Sequence, residues 1–259
     1  MTTPLLEVSS MMMRFQGITA LDSVSFTLER GAITSLIGPN GAGKTTMFNC
    51  VTGMYTPTSG KVTFDGEEIT GEPAHRISRH GIARTFQNLA LFGGLTVMEN
   101  LLVGAYRQGR SGILQGVFQT PRARLEQREA IKSANEVLDF LGMQDAANLL
   151  PSEMSYGRQK QVEFARALMQ KARLVMLDEP MAGMSSAEKA AMTTLIQRVR
   201  AQYGITFLIV EHDIPVIMDI SDKIVVLDFG RKIADGTPQE VQSNEAVIAA
   251  YLGSDGSAH

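Results

Sequence analysis

An α/β fold with a parallel central sheet, an N-terminal antiparallel β subdomain and an inserted helical subdomain is predicted by three features of the 259-residue chain. An apolar run, Ile33 to Ile37, enters the glycine-rich stretch Gly38 to Thr46 and leaves as a helix. Apolar and polar residues alternate on either side of it, as antiparallel strands with one buried face require. After about Met154, short apolar runs separated by helical periods return, the pattern of parallel strands joined by helices. The expected division is a core with its β subdomain over 1–86 and 160–259, and a helical subdomain over 87–159.

Gly38-Pro39-Asn40-Gly41-Ala42-Gly43-Lys44-Thr45-Thr46 carries the spacing G-x-x-x-x-G-K-T. Glycines let backbone N–H groups converge on phosphate oxygens, and a helix N-terminus directs partial positive charge at the same anion. Lys44 can then reach the β- and γ-phosphates, and the Thr45 hydroxyl suits a Mg²⁺ ligand. The alternative is a glycine-rich turn that happens to precede a lysine. With a strand before it and a helix after it, the stretch reads instead as a phosphate-loop NTPase core.

Composition bounds the surroundings. With 44% hydrophobic residues the chain can bury a sizeable core. No apolar run reaches the roughly 18 residues of a membrane span and no charged-then-apolar leader is seen, so a soluble, cytosolic chain is expected. The single cysteine, Cys50, excludes an internal disulfide and reads as a small buried side chain in the helix after the loop. A net charge of −3 argues against broad attraction to nucleic acid.

Leu5 to Ser10 reads as a short strand, and Val24, Phe26 and Leu28 as one face of another. Val62 and Phe64 lead into Asp65-Gly66, a dipeptide suited to a tight hairpin. From about Gly71 to Met154 the pattern is mainly helical: Ala134, Val137, Leu138 and Leu141 keep i, i+3, i+4, i+7 spacing, and Gly142 is placed to end that helix. The segment Tyr106 to Arg128 holds five arginines against one acid, either a solvated surface or a basic face for a membrane protein or anionic headgroups.

Leu174 to Leu177 is fit for a central parallel strand and ends in Asp178-Glu179. Acids at the carboxyl end of such a strand lie where ligands bind in open α/β sheets. Asp178 is expected to hold Mg²⁺, and Glu179 to position and deprotonate an attacking water. Ser185 and Glu188 form a capping box for a helix that Gly204 stops. A further run, Ile205 to Val210, ends in Glu211-His212, and the His212 ring could reach a γ-phosphate if its strand neighbours that of Asp178. Ile224 to Leu227 adds a strand, Thr237 to Glu240 starts a helix, Ala246 to Leu252 is the last regular segment, and Gly253 to His259 reads as a frayed tail.

Phe15, Gly38 to Thr46, Gln87, Met154-Ser155-Tyr156-Gly157-Arg158-Gln159, Leu177-Asp178-Glu179-Pro180 and His212 together resemble the nucleotide-binding subunit of ABC transporters. The resemblance spans nearly the whole chain, and Ser155-Tyr156-Gly157 separates this family from other phosphate-loop enzymes. It implies that Phe15 stacks on adenine and that Gly38, Asn40, Gly41, Gly43, Lys44, Thr45 and Thr46 bind ATP. It also implies that Thr45, Gln87 and Asp178 attend the Mg²⁺ ion, and that Glu179, His212 and Gln87 serve hydrolysis. Ser155 and Gly157 would bind the γ-phosphate of a nucleotide held by a second subunit. One chain carries one loop and one signature, so a homodimer or a heterodimer with a paralogous ATPase is implied. The further partners implied are transmembrane permease subunits at the cytoplasmic face of the membrane and, through them, a periplasmic solute-binding protein.

Met154, Tyr156 and Arg158 depart from the commonest signature, and Ser185 stands where many relatives have aspartate. Gly81 to Gln87, the arginine-bearing segment and Ala250-Tyr251-Leu252-Gly253 resemble the larger ATPase of branched-chain amino acid uptake systems. The same group includes relatives that handle urea and short amides. The readings left open are a non-transport ABC ATPase acting on a macromolecule, and a small-molecule kinase, which would leave Ser155 to Gly157 and His212 without a role.

Overall fold

The computed structural model describes residues 3–85, 89–106 and 121–254. Two sheets organise it. The first contains β1 (Leu6–Phe15), β2 (Ile18–Leu28), β4 (Ser59–Phe64) and β5 (Glu67–Glu68) in the antiparallel order β2-β1-β4-β5. The second contains β3 (Ile33–Ile37), β6 (Ile82–Arg84), β7 (Leu174–Asp178), β8 (Thr206–Val210), β9 (Lys223–Asp228) and β10 (Arg231–Gly236), in the order β10-β9-β3-β8-β7-β6. All its pairs are parallel except β10 on β9. Every residue of β3, β7 and β8 is buried, because both faces of the sheet are covered, and the sequence of such strands is therefore a run rather than an alternation.

β1 is longer than its sequence suggests. Its register shifts between Ser9 and Met12, Ser10 takes a positive φ of 46°, and the Ser10 amide donates to Ser25 Oγ at 2.7 Å. That irregularity breaks the period-2 pattern, so Met11-Met12-Met13 reads as an undirected apolar run. Asp65 and Gly66 both have positive φ, 53° and 82°, and turn β4 into β5 as the tight hairpin expected there. β10 was not legible because it is an edge strand carrying Arg231, Lys232 and Asp235, and edge strands are protected by charge rather than marked by alternation.

The helices are α1 (Lys44–Val51), α2 (Ala74–Arg79), α3 (Val97–Tyr106), α4 (Pro121–Leu141), α5 (Tyr156–Leu168), α6 (Ser186–Tyr203), α7 (Ile214–Ile220), α8 (Pro238–Gln242) and α9 (Glu245–Ser254). Gly142 and Gly204, with φ of 67° and 64°, follow α4 and α6 as the sequence predicts. The capping boxes of Ser185 with Glu188 and Thr237 with Glu240 both form. Of the arginine-bearing segment, Arg124 and Arg128 are exposed on α4, and 107–120 lie outside the described residues, as do 255–259 of the tail.

α5 links two parts of the core. Val162, Ala165 and Met169 pack with Val97 and Leu101 of α3 and Ala134 and Leu138 of α4. Phe164, Ala167 and Leu168 pack against Val175 of β7 and Phe207 of β8. Gly104 lets α3 approach closely, since a Cβ there would lie 2.5 Å from the Arg166 carbonyl oxygen of α5. A third cluster joins the antiparallel sheet to α1 through Met47, Phe48 and Val51. Cys50 belongs to it, and burial pushes its thiol up to about 11, in keeping with a packing role.

Candidate active site

The loop from β3 to α1 owes its shape to three glycines with different reasons. A Cβ at Gly38 would overlap the Leu227 carbonyl oxygen of β9, and one at Gly43 would come 2.6 Å from the Ala20 carbonyl oxygen. Gly41, with φ of 82°, has nothing within 4 Å of the same position and faces open space. Close packing thus fixes the ends of the loop while its crest stays accessible. Asn40, Gly41 and Thr45 are exposed and Thr46 is half-buried.

Lys44 is buried, and its Nζ donates to the Gly38 and Pro39 carbonyl oxygens at 2.6 and 2.9 Å, so the side chain folds back over the loop. Burial lowers its pKa, while the carboxylates of Glu179 and Asp178 act the other way. Those two acids follow from the sheet. Asp178 ends β7 opposite Val210 of β8, so Glu179 and the pair Glu211-His212 emerge together at the same edge. The strand adjacency on which the His212 reading depended is therefore present.

His212 Nε2 and Glu179 Oε1 are 2.6 Å apart. Glu179 adopts a positive φ of 50°, and its amide donates to the Val210 carbonyl at 2.9 Å. A non-glycine residue held in that region is strained, and such strain gathers at functional positions. Glu211, a residue the sequence reading passed over, is buried; it accepts from the Met181 amide at 2.7 Å and the His212 amide at 3.0 Å. It ties the loop after Asp178-Glu179-Pro180 to the end of β8. An acid closing a largely apolar run was the available signal, since a buried carboxylate must find donors.

Arg84 was also missed as a site residue. It ends β6 and donates to Asp178 Oδ2 at 2.7 Å. Phe15, at the end of β1, is exposed and meets Tyr55 edge-to-face at 5.3 Å between centroids. Gln87 lies outside the described residues.

Ser155 is the N-cap of α5, its side chain accepting from the Arg158 amide at 3.4 Å. Gly157 is buried against Glu188, whose carboxyl a Cβ at 157 would overlap. That carboxyl accepts from the Ser185 amide and hydroxyl at 2.9 and 2.8 Å, and these bonds, with a smaller contribution from the Gly157 backbone, hold it below the usual carboxylate range. One side chain therefore fastens the start of α5 to the start of α6. Gly157→Ala is expected to dislodge Glu188 from its box and to lower Tm. An unchanged Tm in a thermal melt would show that Glu188 can yield without leaving the cap.

Lys44, Asp178, Glu179 and His212 are thus gathered at one sheet edge, whereas Ser155 and Gly157 are supported by α5 and α6. Among the described residues no group of three or more His, Cys, Asp or Glu could hold a metal ion. The residues instead suit Mg²⁺, which takes one or two protein ligands and completes its shell with phosphate oxygens and water: Thr45 is exposed at the start of α1, and Asp178 offers a carboxylate at the end of β7.

The family model described as ABC transporter matches residues 21–182, from β2 through the loop, Ser155 to Gly157, and Asp178-Glu179. The chain belongs to the ABC transporter family. It is one of that family's ATPase subunits. A second model, described as branched-chain amino acid ATP-binding cassette transporter, matches residues 231–257, which include β10, α8 and α9. The chain is 46% identical to the high-affinity branched-chain amino acid transport ATP-binding protein BraF of Pseudomonas aeruginosa, over 98% of this chain and 99% of that one. It is 43% identical to the corresponding protein LivG of Escherichia coli K12, with the same coverage. Among solved structures, an ABC transporter cassette in its ADP conformation is 32% identical and superposes with a TM-score of 0.86, covering 97% of this chain and 100% of that one. A nucleotide-free ABC cassette gives 31% identity and a TM-score of 0.84, covering 96% and 99%.

Proposed function

We propose that this ABC ATPase binds ATP with Mg²⁺ at the Gly38 to Thr46 loop and hydrolyses it to energise an importer of branched-chain amino acids. The observation that carries the chemical half is the convergence of Lys44, Asp178, Glu179 and His212 at the carboxyl edge of one sheet. Glu179 accepts the proton of the attacking water, and its bond to His212 keeps the carboxylate aimed at the site. Lys44 exchanges two neutral carbonyl partners for anionic phosphate oxygens, so that both donor and acceptor are charged and the bonds are stronger. Thr45 and Asp178 would hold Mg²⁺, with Gln87 expected nearby; when bound, the ion neutralises charge on the β- and γ-phosphates. Phe15 offers its exposed ring to the adenine, because stacking needs only an accessible π face.

The second half of each site comes from another ATPase, a copy of this chain or a paralogue. Ser155 and Gly157, at the N-terminus of α5, direct partial positive charge at the γ-phosphate held by the partner's loop, and the Gly157 amide exchanges its bond to the Glu188 carboxyl for one to that phosphate. ATP binds the closed pair better than the open one, and hydrolysis releases it, so nucleotide turnover becomes a population shift. Among the described residues no helix is long and apolar enough to cross a membrane; in this reading partner permeases form the solute path, with this subunit at their cytoplasmic face.

The import of branched-chain amino acids is supported by the relatives' activity and by the match at residues 231–257. Affinity capture from solubilised membranes should retrieve polytopic permeases and, with them, a periplasmic binding protein that takes leucine, isoleucine or valine. A binding protein selective for urea or short amides would overturn the amino-acid assignment. Capture of ribosomes or DNA-repair factors in place of permeases would overturn import itself.

A further inference from the structure

Arg84 is a cation in an unusual place. Its side chain and that of Asp178 are only 10% and 6% exposed, and Nη2 donates to Asp178 Oδ2 at 2.7 Å. The other arm of the guanidinium, Nη1, donates to Asn49 Oδ1 at 2.6 Å and to Thr52 Oγ1 at 3.2 Å. Asn49 lies in the last turn of α1 and Thr52 is its C-cap. The guanidinium carbon also stands 5.5 Å from the centroid of the Phe48 ring, on the same helix. One side chain therefore joins the end of β6, the far end of the phosphate-loop helix and the acid that closes β7.

The neighbouring residue strengthens the link. Thr85 donates its amide to the Met176 carbonyl at 3.0 Å, and its hydroxyl accepts from the Asp178 amide at 3.4 Å. Asp178 is thus gripped at its backbone by Thr85 and at one carboxylate oxygen by Arg84. A buried carboxylate needs a counter-charge, and a lysine could supply that much. Three acceptors in different directions need the planar fork with its five donors, which an ammonium lacks.

We propose that Arg84 is a positioning residue of the metal site, fixing the Asp178 carboxylate against the phosphate-loop helix so that it meets the divalent cation that accompanies the nucleotide. This rests on the reading of the loop as a Mg²⁺-nucleotide site. Groups that orient a metal-binding carboxylate without touching the metal are commonly worth about 10–100-fold in metal affinity. The role also explains why an arginine should end a strand that is otherwise apolar and buried.

The test is Mn²⁺ binding, followed by electron paramagnetic resonance in the presence of a non-hydrolysable ATP analogue, alongside calorimetry of the analogue without metal. Arg84→Lys keeps the buried charge and so the fold; it is expected to weaken Mn²⁺ binding about tenfold while metal-free nucleotide affinity stays as in the parent chain. Asn49→Ala keeps the guanidinium but removes one anchor, and should give a smaller loss in the same direction. The inference is overturned if both variants bind Mn²⁺ like the parent, or if metal-free nucleotide binding falls in the same proportion, which would make Arg84 a support of the fold alone. A parent chain that fails to bind Mn²⁺ with the nucleotide would overturn the proposed nucleotide chemistry and this inference together. Equal binding by parent and variants removes only the role of Arg84.

Discussion

Glu179→Gln is expected to retain ATP binding and lose hydrolysis by about 10²- to 10⁴-fold, the usual worth of a positioned general base. The amide has the shape of the carboxylate and can still bond to His212 Nε2, 2.6 Å from Glu179 Oε1 in the native chain, so the local geometry should persist. What it cannot do is take a proton from water. In the proposed cycle release of the closed pair depends on cleavage, so the same variant should accumulate an ATP-bound dimer. Phosphate release and size-exclusion chromatography with ATP measure the two effects. Undiminished turnover would remove Glu179 from the mechanism and leave its strained backbone without a chemical reason.

Lys44→Ala acts one step earlier, on binding. A hydrogen bond to a charged group is worth about 1.5–3 kcal/mol, so removing this ammonium should weaken ATP affinity about 10- to 100-fold. Stability should change little. Burial already disfavours the charged form of Lys44, as its lowered pKa records, and the variant removes that desolvation cost together with the two carbonyl bonds. Calorimetry with ATP, beside a thermal melt, separates the effects. Unchanged affinity would mean that the loop does not grip phosphate through this residue.

Where local chemistry is dictated by neighbours in the chain, the sequence was readable. The two capping boxes, the glycines after α4 and α6 and the Asp65-Gly66 turn each depend on a few consecutive residues, and each forms as expected. The loop from Gly38 to Thr46 is of the same kind. Elements whose identity depends on position in the sheet were harder to see. β10 is an edge strand with a charged sequence, and the bulge in β1 hides an alternation that exists in space. β6, three residues long, is too short to carry a period.

The sequence by itself determined the chemical inventory: a phosphate loop, an acid pair ending a buried strand, a histidine ending another, and a separate Ser155 to Gly157 cap. These are local patterns, and backbone geometry at a strand end or helix start follows from a handful of adjacent residues. Only the tertiary structure decided how that inventory is assembled. It set β7 beside β8, so that Glu179 meets His212 across 33 positions, and it buried Glu211 as the tie beneath them. It also brought Arg84 to Asp178 across 94 positions and placed Glu188 against Gly157. Such contacts have no local signal, because parallel strands are joined through long crossovers and a buried charge finds its partner in space rather than along the chain.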